Sequence, residues 1–255
     1  MEAVTFQKQY SYYYKSTTIM KKYLLSFVLF VSATSYGFAQ QINDPNVELR
    51  TAKNFHAINL SSAFDVFITQ SNEESVAVSA ADIKDRERII VEVKNGVLHV
   101  GFDSKGVKWG NGNKKLKAYI SFKQIDALTV SGACDVFISG TLKANELTLR
   151  QSGASDLKGK MEIGKLKIDL SGASDVTITG SATQLSIEAS GASDFKGYDL
   201  VTEICDARAS GASDIKITVN KELSANASGA SDVKYKGNGV IRDLKSSGSS
   251  SVRKV

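Results

Sequence analysis

Histidine, cysteine, proline and tryptophan are scarce in this chain: its 255 residues hold two His, two Cys, one Pro and one Trp. So few imidazoles and thiols leave little material for a Cys/His metal centre or a thiol enzyme. Charge of one sign is lacking as well. The formal +5 falls to +2, with 28 basic against 26 acidic residues, once residues 1–39 are set aside. That balance gives no electrostatic reason to wrap a nucleic acid. A long hydrophobic run is also missing past residue 40, so the chain without its first segment is not expected to span a membrane. No nucleophile elbow, phosphate loop or Cys/His cluster occurs. What is present is a 42% apolar fraction, enough for a packed core.

The front of the chain reads as an export signal. Met20-Lys21-Lys22 precedes the apolar run Tyr23–Val31, and small residues Gly37 and Ala39 stand at −3 and −1 of a cut after Ala39. Met20 is a better start than Met1, and no Cys follows the apolar run for lipid attachment. The expected organisation is a signal peptide over 1–39, a linker over 40–47 around Pro45, and one domain over 48–255. The expected address is the periplasm, the outer surface or the exterior.

Self-similarity dominates the rest. Ser-Gly-Ala-Ser-Asp or a close variant begins at Ser131, Ser152, Ser171, Ser190, Ser210 and Ser228, with a decayed copy at Ser247. The intervals are 21, 19, 19, 20, 18 and 19 residues. An apolar residue follows each Asp (Val136, Leu157, Val176, Phe195, Ile215 and Val233), and residues one, three and five before each Ser are mostly apolar as well. This period of two marks strands with one buried face. A meander gives no reason to repeat one pentapeptide at every second turn, and a propeller blade needs roughly 40 residues. One unit per coil, stacked at about 4.8 Å, satisfies both the period and the columns. The predicted fold is an all-β, right-handed parallel β-helix of 18–21 residues per coil. Residues 48–130 are looser: Ser61–Asp65 reads as a degenerate coil, Asn95-Gly96 as a hairpin turn, and these elements should cover the first edge of the solenoid.

Stacked carboxylates repel by about 0.9 kcal/mol per pair in water at that spacing. The Asp column therefore needs compensation, which Lys158, Lys196, Lys216 and Lys234 offer two residues later. The plain reading of the pentapeptide is a repeated polar corner, with Gly at positive φ and Ala where packing is tight. A sharper reading places a calcium ion on the Asp stack, although one carboxylate and one Gly per unit is thin beside a calcium-binding repeat. A third makes the Ser/Asp/Lys face, with Asp156, Asp175, Asp194 and Asp214, a contact surface. The stretch Lys105–Lys117 is a second candidate: Trp109 would stack on a sugar or partner while Lys108, Lys114 and Lys115 meet anionic groups. Cys134 and Cys205 fall more than three coils apart, about 14 Å or more, so free thiols are expected. His56 and His99 are expected as ordinary strand or surface residues.

The block Ala63-Phe64-Asp65-Val66-Phe67-Ile68-Thr69-Gln70, Phe55-x-x-Ile58, the hairpin at Asn95-Gly96 and the serial Ser-Gly-Ala-x-Asp-Val coils resemble the GIN-domain family, described as the head domain of bacterial autotransporter adhesins. The resemblance spans roughly residues 48–245 and implies a β-helical surface or periplasmic module that binds a glycan or protein, without a catalytic residue or cofactor. Only a few residues follow the decayed repeat, so no translocator barrel is expected here. Two other roles stay open: a polysaccharide lyase or hydrolase on a β-helix, and a structural spacer. Fold alone does not choose between them.

Overall fold

A computed structural model describes residues 44–106 and 115–255. The coils form because most inward positions along the strands are apolar and each corner is bonded to the corner before it. In the coil from Ser171 to Ala189, the amides of Ser171, Ala173 and Asp175 donate to the carbonyls of Gln151, Gly153 and Ser155 on the coil before, at 3.0, 2.8 and 3.0 Å. The same three bonds recur at each corner, so the turn that would otherwise expose backbone groups is fastened along the axis. The result is a β-solenoid of about seven turns.

The repeated half consists of β9 (Asp135–Gln151), β10 (Asp156–Leu170), β11 (Asp175–Ala189), β12 (Asp194–Ala209) and β13 (Asp214–Ala227), all parallel. Each runs unbroken from the Asp of one pentapeptide to the residue before the first Ser of the next. The last coil is divided: β14 (Asp232–Lys236) and β16 (Ser251–Lys254) continue one face, and β15 (Val240–Ser246) continues the other. Interior columns include Leu147, Leu166, Leu185, Cys205 and Leu223, all buried.

The first part of the domain holds β1 (Glu48–Arg50), β2 (Ala57–Leu60), β3 (Asp65–Gln70), β4 (Ser75–Ser79), a single turn α1 (Ile83–Arg86), β5 (Ile89–Lys94), β6 (Val97–Phe102), β7 (Lys117–Phe122) and β8 (Ala127–Val130). The degenerate coil is real: Asp65 pairs with Asp135, so β3 stacks on β9. The hairpin at Asn95-Gly96 is also as expected, β5 lying antiparallel to β6. Lys117–Phe122 is not adjacent in space to the repeats that follow it in the chain. It pairs with β3, and β2 likewise lies between β6 and β8. The coil formed by β2 and β3 is thus interposed between a later coil (β6–β7) and β9. Beyond that later coil, β4 and β1 on one face and β5 on the other run antiparallel and cover the first edge. Before β1, Asn46 Nδ2 donates to Ala80 O at 3.1 Å.

Two details of the pentapeptide differ from expectation. The third-place Ala packs against nothing: Ala154, Ala173 and Ala212 are exposed. The fourth-place Ser is the inward residue, buried at Ser155, Ser174, Ser193, Ser213 and Ser231. Its hydroxyl turns back to the carbonyl three residues earlier, as in Ser174 Oγ to Ser171 O at 2.9 Å, which removes the cost of burying it. Gly is required in second place. Gly172 has φ +78° and a Cβ there would lie 2.4 Å from Gly153 O.

Candidate functional site

The Asp column forms as the repeat demands. Asp65, Asp135, Asp156, Asp175, Asp194, Asp214 and Asp232 pair in succession, so the four carboxylates singled out as contact candidates share one line. Lys117 occupies the same column at one end, beside Asp65, and Ser251 at the other. Ammonium groups interleave with the carboxylates. Lys196 Nζ lies 2.7 Å from Asp175 and 3.9 Å from Asp194, and Lys234 Nζ lies 3.5 Å from Asp214 and 3.1 Å from Asp232. Both ammonium groups are held above their ordinary range, Lys196 first by the hydrogen bond it donates to Asp175 and Lys234 first by the one it donates to Asp232. Among the described residues no three His, Cys, Asp or Glu side chains converge to hold a metal ion.

Two residues after the Asp column stands a line that the sequence reading saw only in part. Its lysines continue into an aromatic ladder: Phe67 stacks on Tyr119 at 5.3 Å and on Phe137 at 5.4 Å between ring centroids, with interplanar angles of 14° and 19°. Lys158 follows Phe137 in register. With Asp65 already in the Asp place, the unused signal was the position two residues on, where Phe67 stands in the line that later coils fill with Lys.

Trp109, Lys108 and Lys114 lie outside the described residues. Lys115 is exposed, with φ +46°. In the chain these residues lie between β6 and β7. Lys117 Nζ is 3.5 Å from Asp44.

Both thiols are free and buried. Cys134 Sγ takes the place of the inward serine hydroxyl, 3.5 Å from Ser131 O. Burial pushes both thiols above the ordinary range, Cys205 further than Cys134. His56 Nδ1 pairs with Asp126 at 3.0 Å across an exposed corner.

The other outer face carries a groove of about 580 Å³ parallel to the solenoid axis. One wall is the residue two before each pentapeptide: Thr129, Arg150, Asp169, Glu188, Arg208 and Asn226. The opposite wall is the first Ser of successive pentapeptides, from Ser152 to Ser228. Charges along the first wall are matched locally: Arg208 Nη1 lies 3.2 Å from Glu188 and its Nη2 lies 2.7 Å from Asp206, while Arg150 Nε lies 3.5 Å from Asp169. Asp169 Oδ1 is shielded from solvent without a hydrogen bond, its cation being Lys167 Nζ at 3.6 Å.

These features define a β-solenoid whose corners present charged and polar residues in register. Comparison with known proteins agrees with that class. The family model described as "putative auto-transporter adhesin, head GIN domain" matches residues 54–239, and the chain belongs to this family. Solved structures share the fold. A putative adhesin of Bacteroides fragilis superposes with a TM-score of 0.77 at 22% identity, covering 82% of this chain and 96% of that one. A putative adhesin of Parabacteroides merdae gives 0.64 at 19%, covering 82% and 95%. A protein of Parabacteroides distasonis described as a putative lipid binding protein gives 0.62 at 22%, covering 82% and 97%. No curated relative matches the sequence.

Proposed function

We propose that this protein is an exported, non-enzymatic binding module of the bacterial cell envelope or exterior, adhesin-like in that it holds a glycan or protein ligand on its outer faces. The observation that carries this reading is the regularity of the coils between Asp135 and Ala227. Every corner there is closed by three backbone bonds to its neighbour, and no long loop rises to wall off a catalytic cleft. A β-helical lyase or hydrolase needs such loops to position acids and bases and exclude water. Four carboxylates of the column, Asp175, Asp194, Asp214 and Asp232, lie against the ammonium groups of Lys196 and Lys234. The export signal over residues 1–39 and the family match support the envelope address. Trp109, Lys108, Lys114 and Lys115 remain a proposed contact loop, next in chain order to the head of the Asp column.

Fractionation of the native host with protease applied to intact cells tests the address, and a glycan array with an envelope pull-down tests binding. Surface or periplasmic recovery with a saturable ligand is expected. Cytoplasmic retention, or cleavage of an acidic polysaccharide that is lost in Asp175→Asn, would overturn the proposal.

A further inference from the structure

The groove between the charged wall and the serine wall is a site with its own chemistry, and we infer that it takes a neutral, polyhydroxylated chain: an uncharged polysaccharide laid along the solenoid axis. This inference rests on the binding-module reading and assigns the ligand class and the surface.

Three features select that ligand. The first is length without net charge. Five coil spacings of about 4.8 Å give a trough of about 24 Å. Along it Arg150 and Arg208 are each neutralised by an acid at 3.5 Å or closer, so a polyanion gains little here and a polycation no more. The second is the supply of free hydrogen-bonding groups. Ser190 Oγ donates to Leu170 O at 3.1 Å, whereas the hydroxyls of Ser152, Ser171, Ser210 and Ser228 make no hydrogen bond among the described residues. Facing them are carboxylates that accept, guanidinium groups that donate, and the Asn226 amide, which does both. A sugar hydroxyl donates and accepts, so it satisfies either wall. The third is what the floor lacks. The amides of Ser171, Ser190, Ser210 and Ser228 are already bonded to the preceding coil, so no open strand edge invites a peptide. The floor is built at Gln151, Leu170, Ala189 and Ala209, whose side chains are all buried and leave no series of pockets for alternate residues of a peptide. No aromatic ring lines the groove, so each sugar binds weakly and affinity accumulates along the chain.

Affinity electrophoresis and calorimetry of the full chain against a soluble neutral glucan, a mannan and size-fractionated oligosaccharides of each test this. Polygalacturonate and an extended polar peptide serve as the charged and peptide comparisons. Binding to a neutral polymer is expected to strengthen with length over the first few sugars and to change little between 50 mM and 500 mM salt, a range over which contacts between exposed charges are increasingly screened. Glu188→Gln and Arg208→Met should each weaken it about tenfold, the loss of one charge-assisted hydrogen bond, at an unchanged unfolding temperature. Lys160→Gln, on the other face, should bind as the parent does. Binding confined to polygalacturonate and abolished by salt, or capture of the peptide alone, overturns the inference. A neutral glycan that binds equally to the groove variants but not to Trp109→Ala overturns it too, while leaving the binding-module reading intact. Failure of every glycan and every envelope protein to bind removes both.

Discussion

Lys196 Nζ sits 2.7 Å from Asp175 on the coil before it and 3.9 Å from Asp194 on its own coil, so one ammonium serves two neighbours of the carboxylate column. Both side chains of the shorter pair are about two-fifths exposed, which screens the interaction. Lys196→Met should therefore cost only about 0.5–1 kcal/mol. Its signature is salt dependence: adding salt should recover part of the loss by screening the exposed repulsion between Asp175 and Asp194, while the parent changes little. Chemical denaturation in urea at low and high salt measures this.

The corner glycine tolerates far less. Gly172→Ala forces a Cβ to 2.4 Å from Gly153 O at a positive φ, and neither backbone can move without disturbing the next coil. A loss of about 2 kcal/mol or more is expected. Ala173→Ser, one residue on and exposed, should fall within about 0.5 kcal/mol of the parent in the same urea titration.

One substitution should give opposite results at the two cysteines. Cys134→Ser installs the hydroxyl that neighbouring coils already use, with Ser131 O waiting as acceptor, and should be nearly neutral. Cys205→Ser puts a hydroxyl among Leu185, Leu223 and their neighbours and should cost about 1–3 kcal/mol. In the folded parent neither thiol should react with a thiol reagent, since burial raises both above the ordinary range. Mass spectrometry should find two free thiols.

The last coil should loosen at both extremes of pH. Asp232 is held below its ordinary 3.8, first by the Ser251 hydroxyl and then by Lys234. Lys234 is held above its ordinary 10.5, first by Asp232. A depressed carboxylate contributes stability above its unfolded pKa and loses it as pH falls through the folded one; a raised ammonium contributes fully below its unfolded pKa and loses it as pH rises through the folded one. The amides of β14 and β16 should thus be best protected between about pH 5 and pH 9. Ser251→Ala should move the acid limb upward toward 3.8, read by hydrogen exchange.

The repeating half was legible because one pentapeptide fixes period, register and burial together: once Asp156 stands over Asp135 and Asp175 over Asp156, every inward residue follows. Cys205 could be assigned to a leucine column on that ground alone. The interposition of β2 and β3 was not legible, because pairing between Phe67 and Tyr119 is a long-range choice without a local signature. The exposed third-place Ala was misread because a small residue suits a crowded corner and an open one equally. The groove had a signal that went unused: Arg150, Asp169, Glu188, Arg208 and Asn226 recur two before each Ser, but that position was read only as the polar half of the alternation. The serines opposite it were noticed as turn formers, and only the curvature of the coil brings the two lines to face each other.

The interposed coil also dictates an order of assembly. Residues 57–70 leave the ribosome before either strand that will flank them exists, and their partners, 97–100 and 117–122 on one side and 127–130 and 135–139 on the other, come from segments made later. The earliest coil of the chain is therefore the one that must be clamped from both sides, and it must stay extended until a template forms. Long-range pairing of this kind is slow to close, so the short coils downstream, each bonded to the turn just made, are positioned to zip first and offer that template.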